Sequence, residues 1–265
     1  VEVDFSLAGN LKRIDKSVFL ACNNIKKLDL SNCRELECIE MNSFCACANL
    51  QSVDLTGCEK LEEIGSNCFD NCYSLNEVTL SGCSSLKRIN SEAFFRNNNL
   101  SSFDFALLPM LEDIGSYAFS QTNISGRVIL GRNITKIGSF AFWECQNISS
   151  VDFSNCSNLV VIENGVFSGC NVKSVDLTNC PLLNTLSMDA FGKSLEEYVI
   201  DNGFYKSIDG VLFNAETNTL LNYPSGKKNE SYEVPSSVVS INDNAFDGNS
   251  NLKKLVIPSS VKSIG

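Results

Sequence analysis

Phenylalanine recurs along this chain with a period. Phe19, Phe44, Phe69, Phe94 and Phe119 follow one another at 25 residues, and Phe142, Phe167 and Phe191 continue at 23, 25 and 24. Such spacing marks one supersecondary unit copied in series, each copy burying its apolar residues against the next. The unit is clearest from Leu50: L-x-x-V-D-L-T-x-C-x-x-L-x-x-I, four residues, Phe69, two residues, then Cys72. Its opening alternates, as in Leu50, Val53, Leu55 and again Leu75, Val78, Leu80, which predicts a short strand with one buried face. Small turn residues follow (Thr56-Gly57, Ser81-Gly82), then pairs such as Leu61/Ile64 and Leu86/Ile89, whose spacing suits a second bend or short extended piece. The stretch before each Phe, as in Ser91-Glu92-Ala93-Phe94, predicts a single helical or 3-10 turn.

About ten such coils stacked as a solenoid, with strands joined in a parallel sheet, would run on the order of 45 Å. A shorter turn gives a second subtype: Tyr232–Ile241 and Leu255–Ile264 share V-P-S-S-V or I-P-S-S-V cores 23 residues apart. The regular pattern lapses between Phe191 and Phe246. There Phe204–Ile208, Asp209-Gly210 and Val211–Phe213 read as a hairpin with a type I′ turn. One coil, over 199–231, is therefore expected to be remodelled into a protruding hairpin or meander within a single domain spanning 1–265. The chain opens at Val1 without Met and closes on Ser263-Ile264-Gly265 in mid-pattern, which is expected of a piece of a longer protein.

These residues resemble the BspA-like leucine-rich repeats of bacterial and protist surface proteins. Three features carry the resemblance: the A-F-x-x-C turn (Ala141-Phe142-Trp143-Glu144-Cys145), the I-P-S-S-V-x-S-I stretches, and Tyr205–Phe213 followed by Leu221-Asn-Tyr-Pro224. The likeness covers essentially the whole chain. It implies a leucine-rich-repeat solenoid with a parallel sheet on the concave face, short strands and 3-10 or helical turns elsewhere, and one hairpin insertion. It also implies a cell-surface or secreted, adhesin-like protein that binds host extracellular-matrix or cell-surface proteins. No functional residue carries over, because the recurring motif is scaffold. Abundant Asn and Cys point within this group toward a protist, trichomonad surface protein.

Thirteen cysteines fall mostly into two columns. Cys33, Cys58, Cys83, Cys156 and Cys180 follow the strand; Cys22, Cys47, Cys72, Cys145 and Cys170 stand three residues after a Phe. Buried thiols acting as small apolar groups with a weak S–H donor are the favoured reading. Side chains in register point the same way, which keeps stacked Cβ atoms farther apart than a disulfide needs. A few disulfides, with Cys45 or Cys68 foremost, and metal ligation are the alternatives.

The exposed middle position of successive strands reads Asp4, Asp29, Asp54, Thr79, Asp104, Ile129, Asp152, Asp176, Val199. Neighbouring carboxylates about 5 Å apart in water repel by roughly 0.8 kcal/mol, so an acidic column is tolerable. It could bind a basic partner or Ca²⁺; the favoured alternative is a solvated Asp that accepts turn N–H groups. Beside it, positions such as Glu77, Ser102 and Arg127 vary from coil to coil. Variation on a fixed scaffold is where a solenoid writes specificity. The candidate protein-binding face is therefore Asp29, Asp54, Glu77, Ser102, Asp104, Arg127, Asp152 and Asp176.

Other functions find little support. Histidine is absent, which removes Ser-His-Asp and Cys-His catalysis and His-based metal sites. No phosphate loop or nucleophile–base pair is visible, so no enzyme activity and no cofactor are expected. A net charge of −10 argues against nucleic acid or anionic membrane as the main partner. No apolar run approaches the roughly 20 residues that span a bilayer, so no membrane insertion is expected. Six N-x-S/T sequons match what chance gives for this composition and carry no weight. The expected function is protein binding, with a structural spacer of a larger surface protein as the alternative.

Overall fold

The computed structural model describes residues 3–265, a parallel-strand solenoid of about ten turns with almost no helix. Each full coil makes three runs of contact with the next. The first is the strand at V-D-L: Lys27–Asp29, Ser52–Asp54 and Glu77–Thr79 form a three-stranded parallel sheet. Val53 is buried between outward Ser52 and Asp54, as the alternation requires. The second is the L-x-x-I segment, which forms the longer ladder. Eight two-residue strands, from Arg13–Ile14 to Thr185–Leu186, pair in parallel, with Ile14, Ile39, Ile64, Ile89, Ile114, Ile137, Ile162 and Leu186 in one buried column.

The continuous ladder thus lies on the side that the sequence leaves open between a bend and a short extended piece, while the V-D-L side breaks into groups. The reason is local. At the fifth coil Phe103 and Phe105 replace the Val and Leu of other copies. Their rings wedge against Phe119 at 4.7 and 5.1 Å, and a 3-10 turn, Phe105–Leu107, takes over the end of the strand position. Strand pairing resumes at Gly126–Ile129 with Ile148–Asp152, and at Ser174–Asp176 with Glu197–Val199.

The third run surrounds the phenylalanines, and it is not a helical turn. Residues two before and two after the Phe take left-handed backbone: Asn42 and Ala46, Asn67 and Asn71, Glu92 and Arg96, Tyr117 and Gln121, Phe140 and Glu144. Alternation of hand sends every second N–H to the next coil, as in Asn42 to Ser66 O at 2.9 Å and Phe44 to Cys68 O at 2.9 Å. The N–H groups between them close four-residue turns, such as Cys47 to Phe44 O. Asn and Gly adopt this conformation readily; other residues are strained by roughly 1–2 kcal/mol each. The stack underneath offsets the strain: from Phe19 to Phe191 consecutive rings lie 5.1–5.6 Å apart and within 17° of parallel. Each buried Phe contributes roughly 1.5–3 kcal/mol.

The cysteine columns serve this backbone. All thirteen are free thiols. Cys47, Cys72, Cys145 and Cys170 donate to the carbonyl of the Phe one coil earlier at 3.1–3.2 Å. Asn97 stands in the same column and donates to Phe69 O at 3.0 Å. Cys58 and Cys83 do likewise for Leu30 O and Leu55 O, at 3.4 and 3.3 Å. A buried carbonyl left unpaired costs about 1–3 kcal/mol, so a small residue with a donor suits that position. Burial pushes Cys58, Cys83, Cys156 and Cys180 up to about 12, which keeps them in the donor form.

The hairpin is present and is not an external flap. Tyr205–Ile208 pairs antiparallel with Val211–Asn214, and Asp209 and Gly210 both have positive φ, the two-residue turn that the sequence signals. Thr219–Asn222 completes a meander and then pairs in parallel with Ser240–Ile241, re-entering the coil path. Val211, Leu212 and Phe213 are fully buried, so the meander builds core instead of protruding. Two apolar clusters result, one for the coils up to Leu212 and a smaller one from Val211 to Ala245.

Candidate protein-binding face

The acidic column is built by the turn that follows each strand. Asp29, Asp54, Asp152 and Asp176 each accept, through Oδ1, the N–H two residues on, at 2.9–3.0 Å, and Asp104 does the same as the cap of its 3-10 turn. Ser31 and Thr178 add hydroxyl donors at 2.6 and 2.7 Å. These bonds hold the carboxyls of Asp29 and Asp152 below the usual range, the first chiefly through the Ser31 hydroxyl, the second chiefly through the Ser154 N–H. One oxygen of each aspartate therefore serves the fold. The repeated D-x-[S/T] is a side-chain-capped turn.

What differs from coil to coil sits beside this column. Where pairing lapses at the fifth coil, a hollow of about 280 Å³ opens between Val78 and Val128, lined by Ser102, Asp104 and Arg127. Arg127 reaches the next coil and donates to Asp152 Oδ2 at 2.7 Å, and it borders a second hollow of about 210 Å³ with Asp152 and Asp176. Ser102 and Asp104 thus share one hollow with Arg127, and Asp152 and Asp176 share the other, with Asp152 bonded to the guanidinium. Asp29, Asp54 and Glu77 lie on the regular three-stranded stretch, away from that centre. Exposed Leu107 and Ile129 flank the break, at 44% and 42% accessible.

A set of apolar residues in the turns after the strands goes unnoticed in the repeat pattern. Met110, Leu182 and Phe204 are exposed at 40%, 49% and 48%. Met110 and Leu182 stand two residues past the cysteine column or its substitute, where other coils carry Glu35, Lys60, Ser85 or Asn158, and Phe204 lies at the start of the remodelled coil. Aligning the copies by that column is the signal that reveals them.

The opposite, L-x-x-I side is self-paired. Glu63, Arg88, Asp113 and Lys136 alternate in sign on adjacent strands, with Arg88 2.7 Å from Glu63. Lys136 turns to Glu163 at 2.7 Å, and burial pushes the Asp113 carboxyl up. Charges so matched within the chain offer a partner little.

The pattern of the BspA type leucine rich repeat region matches in six copies over residues 3–125, 112–229 and 225–265. The chain belongs to the BspA-type leucine-rich-repeat family. A leucine-rich cell surface protein of Faecalibacterium prausnitzii A2-165 is 26% identical, with TM-score 0.73 over 87% of this chain and 61% of its own. A leucine-rich repeat protein of Bacteroides ovatus ATCC 8483 is 22% identical, TM-score 0.56, covering 87% and 66%. The pneumococcal vaccine antigen PcpA is 19% identical, TM-score 0.54, covering 96% and 52%. The BspA-type chain therefore spans about half to two thirds of the length of these structures. No curated protein matches it. Solenoids of this family are typically interaction modules without catalytic activity. No helix among the described residues is long and apolar enough to cross a membrane.

Proposed function

We propose that the chain is a non-catalytic, protein-binding segment of a cell-surface or secreted adhesin-like protein, and that it engages a host extracellular-matrix or cell-surface protein through the V-D-L side. The observation that carries this reading is the break at the fifth coil. There a charged hollow lined by Asp104 and Arg127 is accompanied by exposed Leu107 and Ile129, a mixed apolar and polar set of the kind that anchors interfaces. The repeated residues are occupied in holding the coils together, which leaves the unrepeated ones to select a partner. The likeness to a protein described as a cell surface protein supports the location.

The test is surface-plasmon binding of the chain to immobilised matrix proteins and to cell-surface extracts. Saturable binding is expected, weakened about tenfold or more by Arg127→Glu and by Ile129→Lys, with thermal stability unchanged. Binding that survives both substitutions, or its absence across matrix and cell-surface material, would refute the reading and leave a spacer role.

A further inference from the structure

Phe95, Tyr117, Phe140 and Trp143 depart from the repeat on the phenylalanine-turn side, where equivalent positions elsewhere hold Cys45, Asp70, Asn42 and Asn67. They form one array. Arg96 lies over the Phe95 ring at 4.8 Å, Phe95 meets Tyr117 edge-on at 6.1 Å, Tyr117 stacks on Phe140 at 5.0 Å, and Phe140 meets Trp143 at 6.4 Å. Tyr117 and Phe140 sit at φ 57° and 59°, where bulky side chains are costly. Gly165 leaves room for the Phe140 ring, since a Cβ there would collide with it. The left-handed backbone is common to this position in other coils, at Asn42, Asn67 and Glu92, but the bulky rings are not, and half-buried rings that the core does not need point to a surface use.

Next to this array is an open cavity of about 580 Å³. Asn98, Gln121, Asn123, Gln146 and Asn147 bring five side-chain amides to it. Trp143 and Glu144 complete the wall. No lysine or arginine lines it, and no aliphatic side chain does. The ligand is therefore neither anionic nor lipid. Amides both donate and accept, which matches hydroxyl groups that do the same, and an indole offers an apolar face with a polar rim. Some of the amides are already oriented: Arg96 donates to Gln121 at 3.2 Å and Gln146 to Glu144 at 3.1 Å.

We propose that this cavity binds a neutral oligosaccharide, with Trp143 under the C–H face of a sugar ring and the amides and Glu144 on its hydroxyls. The site lies on the phenylalanine-turn side and is separate from the protein-binding face proposed above.

The experiment titrates the chain, made in a bacterial host so that the Asn123 and Asn147 sequons carry no glycan, with neutral hexasaccharides of β-glucose, α-mannose and N-acetyllactosamine. Trp143 is the only tryptophan, so its fluorescence reports this cavity alone. Saturable change with at least one hexasaccharide is expected, and calorimetry should find binding about tenfold weaker for Gln146→Ala, an exposed residue, and for Trp143→Phe. Arg127→Glu, on the other side, should leave it unchanged, whichever way the matrix-protein test falls. The proposal is overturned if no neutral hexasaccharide gives a saturable signal at millimolar concentration, or if both cavity variants bind as the parent does.

Discussion

Coils up to Phe191 and coils from Tyr223 onward solve one stacking problem with different parts. In the first region the phenylalanine rings overlap nearly parallel, cysteines feed the buried carbonyls, and an eight-stranded ladder runs unbroken. In the second no cysteine occurs, Tyr223 takes the place of a Phe, and it meets Phe246 at 5.3 Å and 28°. The backbone logic is nevertheless the same: Tyr223 donates to Ala245 O at 2.7 Å, as Phe44 does to Cys68 O. Between the regions a side chain replaces backbone. The Tyr205 hydroxyl accepts the Leu186 N–H at 3.1 Å and donates to Asn184 O at 2.9 Å, standing in for the peptide of the missing coil. A joint made by one hydroxyl and a meander couples its neighbours more weakly than a full coil does, so the two regions should be separable in stability.

Alkaline pH should separate them most. The ordinary thiol value is 9.0, and burial raises Cys58, Cys83, Cys156 and Cys180 to about 12. The folded chain then keeps protons that the unfolded chain has released, so stability is complete below pH 9.0 and is lost as pH rises toward about 12. Every cysteine lies at Cys180 or earlier, whereas the later coils have Tyr223 and Tyr232, whose ordinary value is 10.0. Circular dichroism and proteolysis across this range should show the first region unfolding first. Loss of the second region first would break the comparison.

Phe94→Ala comes next. It removes the middle of the stack and should destabilise the first region by about 3–5 kcal/mol in urea unfolding. Phe246→Ala, at a half-buried ring, should cost less and leave the first transition in place. Tyr205→Phe keeps the ring but strips the hydroxyl from two backbone groups, at about 1–3 kcal/mol. Its signature is faster amide exchange at Leu186 and a wider gap between the two transitions. Ala46→Gly should have the smallest effect, and one opposite to most substitutions. Ala46 holds φ 58°, so glycine relieves roughly 1–2 kcal/mol of strain against about 0.4–1 kcal/mol of added freedom in the unfolded chain. A slight rise in melting temperature is expected, and a fall would mean that the turn is not strained.

Much of this was legible in the sequence because repetition amplifies weak signals. One Phe says little, but eight in register specify a stack, and Asp209-Gly210 between alternating apolar residues specifies the hairpin turn. The Asp column was legible too, since D-x-[S/T] after a strand is a turn that closes on itself. The left-handed residues were not: Glu92, Arg96, Tyr117 and Gln121 have no intrinsic preference for that region, and only the stacked coils impose it. Nor was it evident which strand column would run unbroken, because the wedge at Phe103 and Phe105 acts through rings in neighbouring coils. The candidate face was legible as a list of variable positions. Its centre was not, since the Arg127–Asp152 pair joins residues 25 apart.

If repeated residues hold the solenoid and unrepeated ones meet the partner, the contact should fall on the break at the fifth coil. Hydrogen-exchange footprinting of the chain with its bound matrix or cell-surface protein reads this directly. Added protection is expected at Ser102–Leu107, Arg127–Ile129 and Asp152–Ser154, with none along Glu63, Arg88 and Lys136. Protection confined to that self-paired ladder, with the break at the fifth coil unchanged, would contradict it.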